Sequence, residues 1–295
     1  MLNGGSVPHF RVRATSVKQD PYPTAANPIH QAVVKLFYSR AARHLFTNAW
    51  YSLLSNLDRG AAIRFLNYGY AALNGEQVPL AAADEPDRYA IQLYHHAVSG
   101  TAIGGKDVLE VGCGRGGGAS YIARYLHPRS YTGLDICKPA IRFNKARYAD
   151  QDNLSFRVGN ALSLPFPDES FDAVVNIESA QHYGDMGRFL DEVHRVLRPG
   201  GALLMACFED SSKDVYPRES LAKSRLRLVR EDDITANVAR ALELDGIRRT
   251  ALADEIVPRV LLGVSHEFAG IPGTQLHASF ANGTCPYYCF TCRKD

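Results

Sequence analysis

Apolar positions along this chain follow two periods, and the change from one to the other marks its organisation. From Pro28 to about Leu57 the spacing is helical: Val33, Phe37, Ala41 and Leu45 recur every fourth residue, followed by Trp50, Leu53, Leu54 and Leu57. An aromatic-rich segment, Phe65 to Leu73, follows and is read with these helices as a lid before the core. Asp84-Glu85-Pro86 suits a helix start, and the helix Asp87–Val98 ends at Gly100. Beyond it, short β-branched runs alternate with helical stretches. Asp107–Val111, Ser130–Ile136, Leu154–Val158, Phe171–Ile177 and Ala202–Phe208 read as strands. Between them, helices are expected from Ala119, over Ala140–Ala149 and over Gly187–Arg198. The last carries one apolar stripe of Met186, Phe189, Leu190, Val193, Val196 and Leu197, stopped by Pro199-Gly200-Gly201.

Strands alternating with helices imply an α/β fold with a parallel, doubly wound sheet, and ligands bound beyond the carboxyl ends of its strands. The rhythm breaks at 211–262, a charged stretch read as an insertion. It is weakly helical from Ser211 to Arg230 and more strongly so over Asp233–Leu244. Phe268 to Thr274 reads as a glycine-proline loop and Tyr287–Arg293 as a closing strand. Residues 1–27 show little periodicity and read as an irregular tail. No internal repeat is visible.

Composition narrows the class. The 295 residues, 46% hydrophobic, are enough for one α/β core with additions, and no apolar stretch is long enough to span a bilayer. A net charge of +2 gives no electrostatic footprint for a nucleic-acid partner. Six scattered cysteines suit reduced thiols in a cytoplasmic protein. Cys285, Cys289 and Cys292 have no fourth ligand at zinc spacing, so no metal is expected. The oligomeric state stays open.

The chemistry gathers in Asp107–Gly118, DVLEVGCGRGGG: a strand, a glycine turn and a helix N-terminus, the arrangement of a nucleotide cradle. Gly112, Gly114 and Gly117 satisfy the dinucleotide spacing, and Asp135 stands where a ribose-binding acid belongs. Yet Glu110, two residues before the first glycine, would repel a pyrophosphate. An acid ahead of the turn suits a donor that carries a cationic amine and no phosphate, as S-adenosylmethionine does. On that reading Glu110 orients the glycine turn and the amine, and Asp135 accepts from the ribose hydroxyls. Ile136 packs on the purine, and Asn160 with Ala161 reaches its amino edge.

The stretch from Asp84 to Asp210 resembles class I S-adenosylmethionine-dependent methyltransferases through VLEVGCGRGGG, TGLDI, GNALSLPFPDESFDAVVNIES and EVHRVLRPGG. DEPDRYAIQLYHHA, GGGASYIARYLHPRSYTGLD, FAGIPGTQL and YYCFT narrow it. These are similar to the phthiotriol/phenolphthiotriol dimycocerosate O-methyltransferases and related polyketide O-methyltransferases over roughly 65–295. The resemblance implies a Rossmann-like, seven-stranded, mostly parallel sheet with helices on both faces under an N-terminal helical lid at 28–83, with 84–295 as the methyltransferase domain. It implies S-adenosylmethionine as cofactor, held by Tyr94, Glu110, Gly112, Gly114, Asp135, Ile136, Asn160, Ala161 and Asn176, and a hydrophobic small-molecule acceptor near Glu178 and Tyr183. Related sugar O-methyltransferases carry two histidines after the same Glu-Ser. Here Gln181 replaces the first and His182 matches the second, which makes His182 the candidate base for O-methylation of a hydroxyl. C- or N-methylation of another metabolite, and a cyclase that keeps the cofactor without transferring its methyl, remain alternatives.

Overall fold

The computed structural model describes residues 43–58, 62–209 and 216–295. The expected tail 1–27 and the helical pattern over 28–42 lie outside the described residues. Seven strands form one sheet in the order β3-β2-β1-β4-β5-β7-β6. They are β1 (Asp107–Val111), β2 (Ser130–Asp135), β3 (Leu154–Val158), β4 (Phe171–Ile177), β5 (Leu197–Phe208), β6 (Arg227–Asp233) and β7 (Tyr287–Arg293). Strands β1 to β5 are parallel, and β7 runs antiparallel between β5 and β6. The order reverses between β2 and β4 on either side of β1, so a crevice opens at the carboxyl end of β1, where the glycine turn begins.

Helices α1 (Arg43–Leu57), α2 (Arg88–Val98), α3 (Gly117–Tyr125), α4 (Lys138–Arg147) and α5 (Met186–Val196) surround the parallel half. Shorter α6 (Pro217–Ala222), long α7 (Thr235–Ile256), α8 (Leu262–Phe268) and α9 (Gln275–Ala281) follow. The sheet is buried on both faces: one layer centres on Ile91, Leu93, Tyr121 and Tyr131, the other on Leu109, Phe189, Val193 and Phe290. The apolar stripe read in the sequence on α5 is this second contact, with Phe189, Leu190, Val193 and Val196 all buried.

Four boundaries differ from the sequence reading. Phe65 to Leu73, grouped with the lid helices, is extended chain with no helix from 62 to 81. Its aromatics mark points of packing, not a helical face. Ser211 to Arg230 reads as weakly helical; of its described residues, from 216 on, Pro217–Ala222 form α6, while Arg227 begins the edge strand β6, paired with β7 as far as Asp233. A charged edge strand lacks the apolar alternation that identifies a half-buried one. The helix α7 continues to Ile256, well past Leu244. Helix α5 stops at Val196, and Pro199-Gly200-Gly201 lie inside the start of β5, where the β4–β5 register shifts.

Candidate active site

A cavity of about 280 Å³ opens where the carboxyl ends of β1, β2 and β4 meet α1 and a strap formed by residues 64–67. Its floor is the glycine turn. Gly112 has φ of +81°, and a Cβ there would lie 1.8 Å from Ser179 Oγ, so the turn and the chain after β4 pack closer than any side chain permits. Gly118 has a different role: an added Cβ would lie 1.9 Å from Cζ of Tyr94, which crosses α3 at that point on its way to the end of β1.

Five amides of the turn bond within the protein. Gly112 and Cys113 donate to the Leu134 carbonyl, Gly114 to Asp135 Oδ2, Gly116 to the Cys113 carbonyl and Gly117 to the Arg64 carbonyl. The strap therefore covers the α3 N-terminus, where a phosphate would otherwise sit. The two arginines on the cavity wall are paired as well, Arg64 with Asp87 at 2.6 Å and Arg115 with Asp58 at 2.7 Å. Both arginines on the wall are thus committed to carboxylates, whereas Asp135 and Glu178 line the same space. That donor set fits a positively charged, phosphate-free cofactor.

Most residues singled out in the sequence line this cavity: Tyr94, Gly112, Gly114, Asp135, Ile136, Asn160, Ala161, Glu178, His182 and Tyr183. Asp135 holds the ends of two loops, its Oδ1 accepting from the Cys137 N–H and its Oδ2 from Gly114, each at 2.8 Å. Burial raises its pKa, against the amide bonds that lower it. Ile136 is 54% exposed at the cavity mouth, an apolar surface that a flat ring would cover. Asn160 Oδ1 accepts from the Leu162 N–H at 2.9 Å, so its amide nitrogen is the group left to face a ligand.

Glu110 and Asn176 stand behind the wall. Glu110 is fully buried, its oxygens accepting from the hydroxyls of Tyr94 at 2.7 Å and Tyr131 at 3.0 Å. Burial pushes its pKa up to about 7, with the two hydroxyls acting in the opposite direction. Its reach to the cavity is through Tyr94. Asn176, also fully buried, donates to the Val111 carbonyl and the Tyr183 hydroxyl and accepts from the Ala180 N–H, fastening β1 to the turn after β4. The Tyr183 hydroxyl turns inward to Val111 and Ser179, so only its ring meets the cavity.

Glu178 has φ of +51°, a left-handed backbone at the carboxyl end of β4. Its Oε1 accepts from the Tyr68 N–H and the Tyr287 hydroxyl, both at 2.8 Å, and burial pushes its pKa up to about 7. His182 closes a single 3-10 turn, Ala180–His182, and its ring meets that of Tyr51 edge-on at 6.3 Å.

Sequence reasoning missed Asn67 and Arg115 as wall residues. Tyr51 was visible among the lid aromatics, and its hydroxyl stays protonated because burial and the charges of Glu178 and Asp135 raise its pKa. Arg115 stood in plain view inside GCGRGGG. Asn67 lies in extended chain, where no periodicity points to it. Among the described residues no group of three His, Cys, Asp or Glu side chains is placed to hold a metal.

Residues 109–205 match the family described as a methyltransferase domain. A phthiotriol/phenolphthiotriol dimycocerosates methyltransferase of Mycobacterium tuberculosis is 41% identical over 244 residues, 82% of this chain and 90% of that protein. The chain belongs to that family. It is a class I S-adenosylmethionine-dependent methyltransferase. A fatty-acid O-methyltransferase of Mycolicibacterium smegmatis is 36% identical, over 89% of this chain and 90% of that one. A geranyl diphosphate methyltransferase solved in complex with S-adenosylmethionine has the same fold at 18% identity, with a TM-score of 0.60 over 79% of this chain and 100% of that one. The sheet order, the Rossmann-like crevice and the cofactor expected from the sequence agree with these findings. No helix among the described residues is long and apolar enough to cross a membrane.

Proposed function

We propose that this methyltransferase O-methylates a hydroxyl of a hydrophobic, lipid-like or polyketide-like small molecule, with His182 as the base. The observation that carries this reading is that His182 and Tyr51 share one cavity wall with the glycine turn and Asp135. S-adenosylmethionine, when bound, supplies a methyl already activated on a sulfonium, so the protein's work is alignment, exclusion of water and removal of one proton.

Asp135 accepts the ribose hydroxyls, Ile136 covers the purine, and Asn160 and Ala161 meet its edge. Tyr94, held by Glu110, bounds the methionine end beside Gly112 and Gly114, and Asn176 keeps that turn in register. On the acceptor side, His182 takes the hydroxyl proton as oxygen attacks the methyl carbon. Tyr51 donates to the acceptor oxygen, while Glu178 and the Tyr183 ring shape the pocket. The names of the relatives support a lipid-related acceptor, and the apolar lid residues Leu66, Phe65 and Phe268 match one. Cysteine usage supports action in the cytoplasm.

The test is incubation of the protein with methyl-labelled S-adenosylmethionine and long-chain alcohols, hydroxylated lipids, fatty acids and amines, followed by mass spectrometry. The expected products are a methyl ether and S-adenosylhomocysteine in equal amounts. A methyl ester alone, label on carbon or nitrogen, or acceptor conversion without S-adenosylhomocysteine, would refute the reading.

A further inference from the structure

The strap that walls the cofactor cavity has a second face. Residues 64–67 also line a smaller cavity of about 90 Å³, enclosed by Leu54 of α1, Leu252 and Ala253 of α7, and Ser265 and Phe268 of α8. The strap backbone is tied at both ends. The Arg64 carbonyl accepts from Gly117, the Asn67 carbonyl accepts from Arg249, and the Tyr68 N–H donates to Glu178. Between these ties stands Leu66, whose side chain is held by packing alone. Its Cδ1 lies 3.6 Å from the place that a Cβ on Gly114 would take, and it also packs on the cluster of Trp50, Leu54, Val257 and Phe268. One leucine side chain therefore divides the cofactor cavity from the small one.

The small cavity is largely apolar, and its ions are matched. Arg248 donates to Asp245 and Asp87, and Arg249 to Asp245 and the Ala269 carbonyl. Asn67 and Ser265 each carry a side-chain oxygen without a hydrogen-bond partner among the described residues, and they differ in one respect. Asn67 Nδ2 donates to the Ala90 carbonyl, and its unpartnered Oδ1 is sealed from both cavities. Ser265 is only 6% exposed, yet its Oγ is not sealed in that way, so its open surface faces the cavity that it lines. A hydroxyl left unbonded among apolar side chains gains from any ligand oxygen placed beside it. Because a serine hydroxyl both donates and accepts, that oxygen can belong to a hydroxyl, an ether or a carbonyl. The arginines on the wall are spent on carboxylates, so a neutral oxygen is favoured over an anion.

We propose that the small cavity is a subsite for the far end of the acceptor, with Ser265 as a specificity-determining residue. The apolar segment of the acceptor passes Leu66, which turns aside, and a second, neutral oxygen on that segment bonds the Ser265 hydroxyl. Rings mark the route. His182 meets Tyr51 at 6.3 Å, Tyr51 meets Phe268 at 5.3 Å, and Ser265 stands about one turn before Phe268 on α8. A run of methylenes thus separates the reacting hydroxyl from the oxygen at Ser265. The proposal rests on the reading of a hydrophobic hydroxyl acceptor and adds what that acceptor carries away from its reacting group.

The test measures binding to the full chain saturated with S-adenosylhomocysteine, by calorimetry. The probes are hexane-1,6-diol, octane-1,8-diol, decane-1,10-diol and dodecane-1,12-diol, each against the mono-alcohol of the same length. At one length or more the diol binds tighter than its mono-alcohol by about fivefold or more. Ser265→Ala, a small change that suits a helix, brings that ratio below about twofold. Ala253→Phe, which fills the small cavity from α7, does the same, and both variants keep their affinity for S-adenosylhomocysteine. Ratios below about fivefold at every length in the unmodified protein overturn the role of Ser265 without recourse to any variant. A ratio that Ser265→Ala leaves unchanged overturns it too, and one that Ala253→Phe leaves unchanged removes the cavity as its seat. If even the mono-alcohols fail to bind, the hydrophobic-acceptor reading falls and takes the proposal with it.

Discussion

The two walls of the cofactor cavity are built in opposite ways. The sheet side is backbone: strand ends, a glycine turn and amides that bond to neighbouring carbonyls or to Asp135. The lid side is side chains. Its strap has no regular structure, and arginine–carboxylate pairs hold it, with Arg64 and Arg248 on Asp87 and Arg249 on Asp245. A wall of backbone has one shape that many sequences can build, which suits a cofactor common to many enzymes. A wall of side chains changes with each substitution and suits recognition of one acceptor.

Arg115 joins the two walls, and its removal is the most direct way to break the comparison. From the glycine turn it donates to Asp58 at 2.7 Å and to the carbonyls of Ser55 and Ile63, and it stacks on Phe143 at 3.8 Å. Arg115→Met leaves Asp58 buried without its cation, and urea unfolding should show a loss of about 3–5 kcal/mol. A loss under about 1 kcal/mol would mean that the lid is held elsewhere. The next effect separates chemistry from binding. His182→Ala should lower turnover by roughly 10²-fold while calorimetric affinity for S-adenosylhomocysteine is kept. Near-normal turnover would transfer the proton to another group.

Asp135→Ala should act on the sheet side alone, weakening cofactor binding about tenfold, on the order of 1.4 kcal/mol. Unchanged affinity would reject its ribose role. The smallest effect is a slope. Glu110 and Glu178 titrate near 7 in the folded chain against an ordinary 4.5, so between those values the folded state binds more protons than the unfolded state. Stability therefore falls as pH rises through that window, by at most about 1.4 kcal/mol per pH unit for each group. Glu110→Gln should flatten this slope in a series of melts. An unaltered slope would place the titration on other groups.

The sheet side was legible because its signals are local. DVLEVGCGRGGG states a strand, a turn and a helix within twelve residues, and Asp135 follows at the end of the next strand. The same local logic placed His182 and Glu178 just beyond β4. It failed where a residue's role depends on distant chain. Glu110 looked like a cofactor contact, yet Tyr94 and Tyr131 enclose it. The Tyr183 hydroxyl is taken by Val111, 72 residues away. Strand β6 escaped notice because its polar edge carries no apolar alternation, and pairing with β7 alone makes it a strand.

Hydrophobic period and glycine spacing by themselves determined the layered fold and the crevice, because those patterns act over a few residues. Tertiary structure alone decided which carboxylates meet solvent and which meet tyrosines, and that an extended strap closes the helix N-terminus. It also decided that Asn67 keeps an oxygen without a partner. Each of these depends on what the folded chain brings alongside from tens of residues away, and burial sets the cost of every polar group left unmatched there.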